Sequence, residues 1–427
     1  MSDVIENPHT FLRHLFDVAV AAADPQVCIP AHLPEPPMQS TGRTVVIGAG
    51  KASAAMAKAV EDNWSGDLSG LVVTRYGFAV PCRHIEIVEA AHPVPDAAGQ
   101  EAARRIMALA QSLGPDDLCL VLISGGASSL LSCPVDGLTL EDKQAVNRAL
   151  LRSGADIVEM NSVRKHLSAI KGGRLAELVA PARLVTLLIS DVVGDLPQVI
   201  GSGPTVPDET TFADARKVIE KYAIELPDAV ARHLAAARSE TPKPGDKVFD
   251  DAATILAGLP KVSLAAASEV AAQAGFSVIN LGDRLEGEAR DVARQHAARA
   301  LDIKNGNSDV KLPAILLSGG ELTVTLTGDG RGGPNGEYAL SMAIALAEAE
   351  GIFALSCDTD GIDGSEDNAG MVVSPETLKQ VRQAGLDAAA FLQNNDSYGL
   401  FSAIDGLVIT GPTCTNVNDF RAVLILP

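Results

Sequence analysis

Glycine-flanked cations, and carboxylates that close apolar runs, are the residues of this chain whose types and spacing could do chemistry. The first candidate is Gly48-Ala49-Gly50-Lys51-Ala52-Ser53, between the strand-like run Thr44–Ile47 and a helical pattern over Lys51–Asp62. Main-chain N–H groups at a strand-to-helix turn, with the helix dipole behind them, favour an anion. A lysine in the first helical turn opposes that dipole, which makes sense where it reaches a phosphate; otherwise the turn is merely tight and the lysine solvated. Neither a dinucleotide fingerprint nor a Walker A loop is matched, because Ser53 stands where a third glycine belongs and the glycine spacing differs.

Four further stretches carry comparable chemistry. Ser124-Gly125-Gly126-Ala127-Ser128-Ser129 closes the run Leu118–Ile123 and offers a nest of N–H and O–H donors, or an ordinary helix N-cap. Asn161–Arg174 gathers Arg164, Lys165, Lys171 and Arg174 with His166 and no carboxylate, which suits a carboxylate or phosphate ligand. On one continuous helix, Arg164, Ser168 and Lys171 would share a face. Ser190-Asp191-Val192-Val193-Gly194-Asp195 closes Leu184–Ile189, so Asp191 stands where ligands of parallel sheets bind and could hold Mg²⁺ or accept a hydroxyl proton. Asp195 reads as a loop or capping residue. Gly328–Glu337 sets Arg331 among glycines, where a guanidinium can take phosphate oxygens in a bidentate way.

Asp358-Thr359-Asp360-Gly361-Ile362-Asp363-Gly364 begins like a calcium loop but has Ile362 at position five and Ala369 at position twelve. Asp360 and Asp363 therefore suit Mg²⁺ or ligand hydroxyls better, unless they serve only as turn formers.

The elements that must position these residues alternate between short β-rich runs and longer helical ones, the pattern of βα units and mainly parallel sheets. Strands are expected at Thr44–Ile47, Gly70–Thr74, Leu118–Ile123 and Leu184–Ile189, and helices at Ala97–Ser112, Leu140–Gly154 and Asn161–Leu178. One doubly wound domain holds them. The polar, Pro- and Gly-containing stretch 237–250 reads as a linker, which divides the chain into 1–240 and 241–427. Beyond it, helices are expected at Leu264–Ala274, Glu286–Asp302 and Gly336–Glu350, and strands at Ala314–Leu317 and Ile352–Cys357. The alternation Leu322–Thr327 reads as a half-exposed strand, so the second sheet is expected to be mixed.

Bulk properties narrow the class. The 427 residues exceed one ordinary core, and 47% hydrophobic with 21% charged residues is a globular composition. A net charge of −20 argues against nucleic acid and membrane surfaces as partners. Six cysteines without metal-like spacing, no leader pattern in the first six residues and no membrane-length apolar run point to a cytoplasmic protein.

Taken together, these stretches resemble one family. Ile47–Ala52, Ala91-His92-Pro93-Val94-Pro95-Asp96, Ser124–Ser128, Val163–Ser168, Ser190–Asp195, Gly332-Gly333-Pro334-Asn335 and Thr359–Gly364 are similar, in order, to the motifs of the class II glycerate 2-kinases, whose C-terminal part is the MOFRL domain. The resemblance covers nearly the whole chain. It implies an α/β fold with a Rossmann-like doubly wound N-terminal domain, a smaller α/β C-terminal domain with a mixed sheet, and an active cleft between them. It implies ATP with Mg²⁺ as cofactors, D-glycerate as substrate and 2-phosphoglycerate as product, and it leaves room for a homo-oligomer.

The family's functional Lys and Arg fall on Lys51 and Arg331. On that reading Lys51, Arg331 and Asp191 are catalytic, and Asp191, Asp360 and Asp363 are candidates for the metal. Gly48, Gly50, Ser124, Gly125, Gly126, Ser128, Gly332, Gly333 and Asn335 cradle the nucleotide, while Arg164, Lys165 and Lys171 anchor the substrate anion. Gly336 departs from the family, where a larger polar residue is usual. Members often carry the label hydroxypyruvate reductase, so an NAD(P)H-dependent reductase is the rival enzyme. No acidic residue is clearly placed for its ribose and no His–Arg pair stands out. A non-catalytic sugar-acid or nucleotide sensor ranks lower, for want of an output element.

Overall fold

Apolar runs uninterrupted by charge become strands covered on both faces, and this chain has several. The computed structural model describes residues 7–38 and 42–427, and they build two six-stranded sheets. The first six residues, where no leader pattern is read, lie outside the described ones.

The first sheet holds β1 (Thr44–Ala49), β2 (Leu68–Arg75), β3 (Ile85–Ala90), β4 (Leu118–Ile123), β5 (Arg183–Ile189) and β6 (Ala252–Gly258). All pairs are parallel, in the order β3-β2-β1-β4-β5-β6. Every residue of β1 and β4 is buried, and their register runs from Thr44 beside Leu118 to Ala49 beside Ile123. The edge strand β3 is blunted by charge, with Glu86 paired to Arg105. The chain winds outward from β1 to β3 and then returns to β4. The strand order thus reverses between β1 and β4, and in open parallel sheets ligands bind beyond the strand ends at such a reversal.

The second sheet is mixed, as expected. It holds β7 (Ser277–Asn280), β8 (Ala314–Ser318), β9 (Ile352–Asp358), β10 (Gly370–Val373), β11 (Leu407–Val408) and β12 (Asp419–Ile425), in the order β11-β10-β9-β12-β8-β7. Only β7 and β8 run parallel. Alternation along its strands feeds two cores. Ile315, Leu317, Leu355, Phe420 and Leu424 pack with the helices Pro8–Ala22 and Pro260–Gln273. Leu316, Ala354, Val423 and Ile425 pack with the helices Ala289–Lys304 and Pro334–Leu346. Burying each large apolar side chain contributes about 1.5–3 kcal/mol.

Three expectations are corrected. The chain divides into one compact unit of residues 25–191 with 195–258, and another of 7–24 with 192–194 and 259–427, rather than at 240/241. The stretch taken for a linker leads into β6, which pairs with β5 from Leu184 beside Ala252. This edge strand is half-exposed, so its apolar pattern is weak.

The alternating stretch Leu322–Thr327 forms no strand and makes a single bridge, Thr323 to Glu288. Side chains replace the partner strand. Glu288 accepts from Thr325 N at 2.9 Å, and Asn395 Oδ1 accepts from Thr327 N at 2.7 Å and Gly328 N at 3.0 Å.

The expected helix Asn161–Leu178 is two helices, Ile157–His166 and Arg174–Val179. Gly172 (φ +59°) and Gly173 (φ +84°) take left-handed conformations between them, and Ser168 Oγ accepts from Ile170 N and Lys171 N, both at 3.3 Å. Arg164, Ser168 and Lys171 therefore do not share one helical face.

Candidate active site

In the first unit, the turns after β1 and β4 are built into each other. Lys51 N–H donates to Gly125 O at 2.7 Å, and Ala52 N–H donates to Ser124 Oγ at 2.9 Å. The approach is so close that a Cβ on Gly50 would stand 2.1 Å from Ser124 Oγ, and φ there is +141°. Only glycine satisfies both conditions. Gly48 lies in β1, beside Leu122. Ser53, at the place of a third glycine, uses its hydroxyl to tie β1 to β2, donating to Gly50 O at 2.8 Å and Val73 O at 2.7 Å. Thr74 Oγ1 closes the other side on Lys51 O at 3.3 Å. Lys51 thus stands half-buried at the reversal of strand order, in a main-chain setting pinned by three strands.

His92, beyond β3, lies against the same turn. A Cβ on Gly126 would meet its Cδ2 at 3.0 Å and Nε2 at 3.1 Å, with Lys51 Cγ at 3.4 Å. Sequence reasoning left His92 without a role, since a single histidine in a proline-rich loop carries no spacing signal. Ser128, also expected in the cradle, bonds Ser202 Oγ at 2.5 Å, and Ser202 reaches Asn161 Oδ1 at 3.2 Å. Gly172 N–H donates to Ser202 O at 3.1 Å, so this one serine stitches the Ser124–Ser128 turn to the basic segment.

Within the basic segment the cations differ. Lys165 is buried and paired with the buried Asp208 at 3.1 Å, so its charge is already answered. Lys171, 1% exposed, donates to Leu131 O at 3.0 Å. Arg164 is half-buried, and its Nε donates to Asn147 Oδ1 at 3.2 Å. Arg174 donates to Ser239 O at 2.5 Å.

Asp191, separated from the end of β5 by Ser190, is half-buried. Four residues on, Asp195 has φ +55°, and its buried Oδ1 finds no hydrogen-bond donor among the described residues. A concavity of 700 Å³ between Met107, Val135, Arg174 and His233 includes none of these strand-end residues, so chemistry and not size picks the site.

The second unit carries Arg331 on a loop outside any ladder. Side chains of residues 394–396 hold it: Asp396 Oδ1 accepts from Arg331 N at 3.1 Å, and Asn395 takes the N–H groups of 327 and 328. The Arg331 guanidinium lies 4.8 Å over the Tyr398 ring and 3.4 Å from Glu366 Oε2, with its side chain 60% exposed. Gly332 and Gly333 lead into the helix Pro334–Leu346.

At the start of that helix, Asp363 accepts from Asn335 N at 3.0 Å and from Gly336 N at 2.8 Å, one per carboxylate oxygen. Asn335 in turn donates to Asp419 at 2.7 Å and accepts from Ser356 at 2.6 Å, and Asp419 pairs with the buried Arg421 at 2.8 Å. Asn335 and Asp363 therefore belong to a buried network that aims the loop. Burial pushes Asp363 up to about 7, against the N–H donors of Asn335 and Gly336 and with Asp419 adding to the rise. Asp360 Oδ1 accepts from Ile362 N at 2.8 Å. At Gly336 a Cβ would stand 2.3 Å from Ser397 Oγ and 2.5 Å from Met371 Cε, so a larger residue there must displace both side chains.

Metal chemistry is limited by the donor set. Among the described residues, no group of three His, Cys, Asp or Glu side chains is arranged to hold an ion. A cage made of protein alone is absent there, whereas Mg²⁺ held by one or two carboxylates and substrate phosphates needs no such cluster. No described helix is long and apolar enough to cross a membrane.

Two family models match the chain. Residues 11–235 match a domain of unknown function, DUF4147, and residues 314–419 match the MOFRL family. The chain is 55% identical to a putative hydroxypyruvate reductase of Agrobacterium vitis, over 97% of this chain and 94% of that one. It is 43% identical to the D-glycerate 2-kinase of Thermotoga maritima, over 91% of this chain and 92% of that one. The crystal structure of a glycerate kinase from Thermotoga maritima superposes with a TM-score of 0.88 at 40% identity, covering 99% of this chain and 100% of that one.

Proposed function

The chain belongs to the class II glycerate kinase family, and on that footing we propose that it transfers the terminal phosphoryl group of ATP to the 2-hydroxyl of D-glycerate, giving 2-phosphoglycerate and ADP. The observation that carries this reading is Lys51, set by the interlocked turns after β1 and β4 at the reversal of strand order. Phosphoryl transfer asks mainly for positioning and neutralisation of charge, and a lysine there supplies both.

In this assignment Lys51 and Arg331 take phosphate oxygens, Lys51 as a point charge and Arg331 as a fork. The N–H and hydroxyl groups of Gly50, Ser124, Gly125, Gly126 and Ser128 line the cradle, with Gly332 and Gly333 alongside Arg331. Asp191 either accepts the proton of the 2-hydroxyl or shares Mg²⁺ with the phosphates, with Asp360 as the second metal candidate. The metal's chemistry is to neutralise charge on the transferring group. Asp363, with both oxygens engaged by N–H groups, takes a positioning part. Arg164 and Lys171 anchor an anion, and Lys165 is set aside because Asp208 answers it.

The reductase label of close relatives supports a second reading, since the strand order also suits dinucleotides. Against an NAD-dependent form of it, β2 ends in Arg75 where an acidic residue would take the ribose of NAD, and its guanidinium lies 5.4 Å over Phe78. Purified protein with ATP, Mg²⁺ and D-glycerate is expected to release ADP and form 2-phosphoglycerate, assigned by ³¹P NMR. NADH consumption on hydroxypyruvate without ADP release would overturn the kinase in favour of the reductase.

A further inference from the structure

The helix Leu140–Ser153 turns Leu140, Lys143, Val146 and Leu150 toward the interior. Three of these are apolar and one is a lysine. Lys143 is 3% exposed, and its Nζ has no hydrogen-bond partner among the described residues. An ammonium buried without a partner is strongly unfavourable, so something must answer it or the position would be expected to be apolar.

Its surroundings make the imbalance greater. Asn147, one turn along the same helix, holds Arg164 Nε at 3.2 Å from the next helix. Lys171, also buried, spends its ammonium on the Leu131 carbonyl at 3.0 Å. Burial pushes Lys143 down to about 8, with Cys133 opposing and Arg164 adding to the fall. Lys171 is held well below its ordinary range by burial first, then by Lys143 and Arg164. Among the described residues, no carboxylate acts on any of the three. The acid among them is the Cys133 thiol, which burial pushes up and so keeps neutral. Lys165, equally buried nearby, shows the contrast with its own Asp208 at 3.1 Å.

We propose that Lys143, Arg164 and Lys171 form a buried site for a compact oxyanion, with Lys143 as its central ligand. The site adjoins the cradle through the chain itself. Leu131, whose carbonyl takes Lys171, directly follows the short helix Ala127–Leu130 that the Ser124–Gly126 turn opens. Ser202 joins Ser128 to Asn161, three residues before Arg164 on its helix. A carboxylate or a phosphate satisfies the three cations equally well. Taking the ligand as the substrate's carboxylate rests on the kinase reading; the anion site does not.

The test uses Lys143→Met, which keeps the side chain's volume and removes a buried charge, so the variant is expected to fold; Lys171→Met is the second variant. Thermal unfolding is followed with D-glycerate, with inorganic phosphate and with chloride at matched ionic strength, and steady-state constants are measured for both substrates. In the wild type, glycerate or phosphate should raise the midpoint beyond chloride, and both variants should lose that rise.

If the carboxylate is the ligand, KM for glycerate should increase by about ten- to a hundredfold, the worth of a charged hydrogen bond, while KM for ATP moves little. If a phosphate is the ligand, inorganic phosphate should protect and KM for ATP should rise instead. Either pattern supports the site. A wild type that releases no ADP, yet is protected by either anion only while Lys143 is present, would also support it and would sink the kinase reading alone. Variants more stable than the wild type, with both KM values and both anion responses unchanged, would overturn the proposal and leave Lys143 a buried amine.

Discussion

Lys51 and Arg331 stand in two glycine-rich turns, one per unit, and are held by different means. Lys51 inherits its place from the sheet: its N–H is taken by Gly125 O, its carbonyl by Thr74, and the strands on either side are fully buried. Arg331 lies outside any ladder, and Asp396 and Asn395 do for its loop what neighbouring strands do for Lys51. A turn between buried strands is hard to displace without unfolding the sheet. A loop hung on side chains can be loosened by changing one of them. The two cations should therefore differ in how far from the charge a mutation can reach them.

Removing the charges themselves should have the largest effect. Lys51→Ala is expected to lower kcat by about a thousandfold, the scale of a lost cation in phosphoryl transfer, while the melting midpoint moves by no more than about 2 °C. An unaltered kcat would strip Lys51 of its role. The comparison itself is tested by Asp396→Ala, which should lower turnover about tenfold by freeing the Arg331 main chain, and should add nothing in an Arg331→Ala background. Additive losses in that double-mutant cycle would show that Asp396 acts elsewhere.

Stability is the next level. Gly336→Gln drives a side chain into Ser397 and Met371, at an expected cost of about 1–3 kcal/mol in urea unfolding. A neutral result would mean that the helix start shifts readily. The smallest effect concerns pH. With Asp363 raised to about 7 in the folded chain, the stability it contributes is present in full below the ordinary carboxyl pKa and is lost as pH rises through about 7, because the folded state keeps a proton that the unfolded one has released. Asp363→Asn should flatten the fall in stability between about pH 4 and 7. An unchanged slope would place that proton on another group.

Much of this was legible in the chain. β1, β4 and β5 could be found from continuous apolar runs because both their faces are covered, and their closing residues marked the candidate site. The order of the strands could not be read, since it depends on pairings between distant segments, and with it went the knowledge that Lys51 meets Gly125. Alternation at Leu322–Thr327 was a true signal with the wrong partner: Glu288 and Asn395 supply acceptors where a strand was expected. Counting charge over Asn161–Arg174 treated Lys165 like its neighbours, because Asp208 stands 43 positions away. Lys143 did leave a trace, a lysine on the apolar stripe of Leu140, Val146 and Leu150, and weighing that one misfit would have found it.

The helix Pro8–Ala22 packs into the core of the second sheet, against Leu264, Phe276 and Phe420. It thus leaves the ribosome long before the segments it packs against. From Ala22 to the first element that packs on it, the helix Pro260–Gln273, the chain must grow by some 240 residues, about 12–50 s of synthesis at ordinary rates. Through that interval Phe11, Leu12, Leu15 and Phe16 have no native partner, so the nascent chain carries an apolar helix that a chaperone, or another nascent copy, can reach. A fragment beginning at residue 259 has the converse defect, a sheet face lacking its cover. The matched MOFRL segment, 314–419, would share it, and expression of either alone should give aggregates unless the N-terminal helix is supplied as a separate peptide.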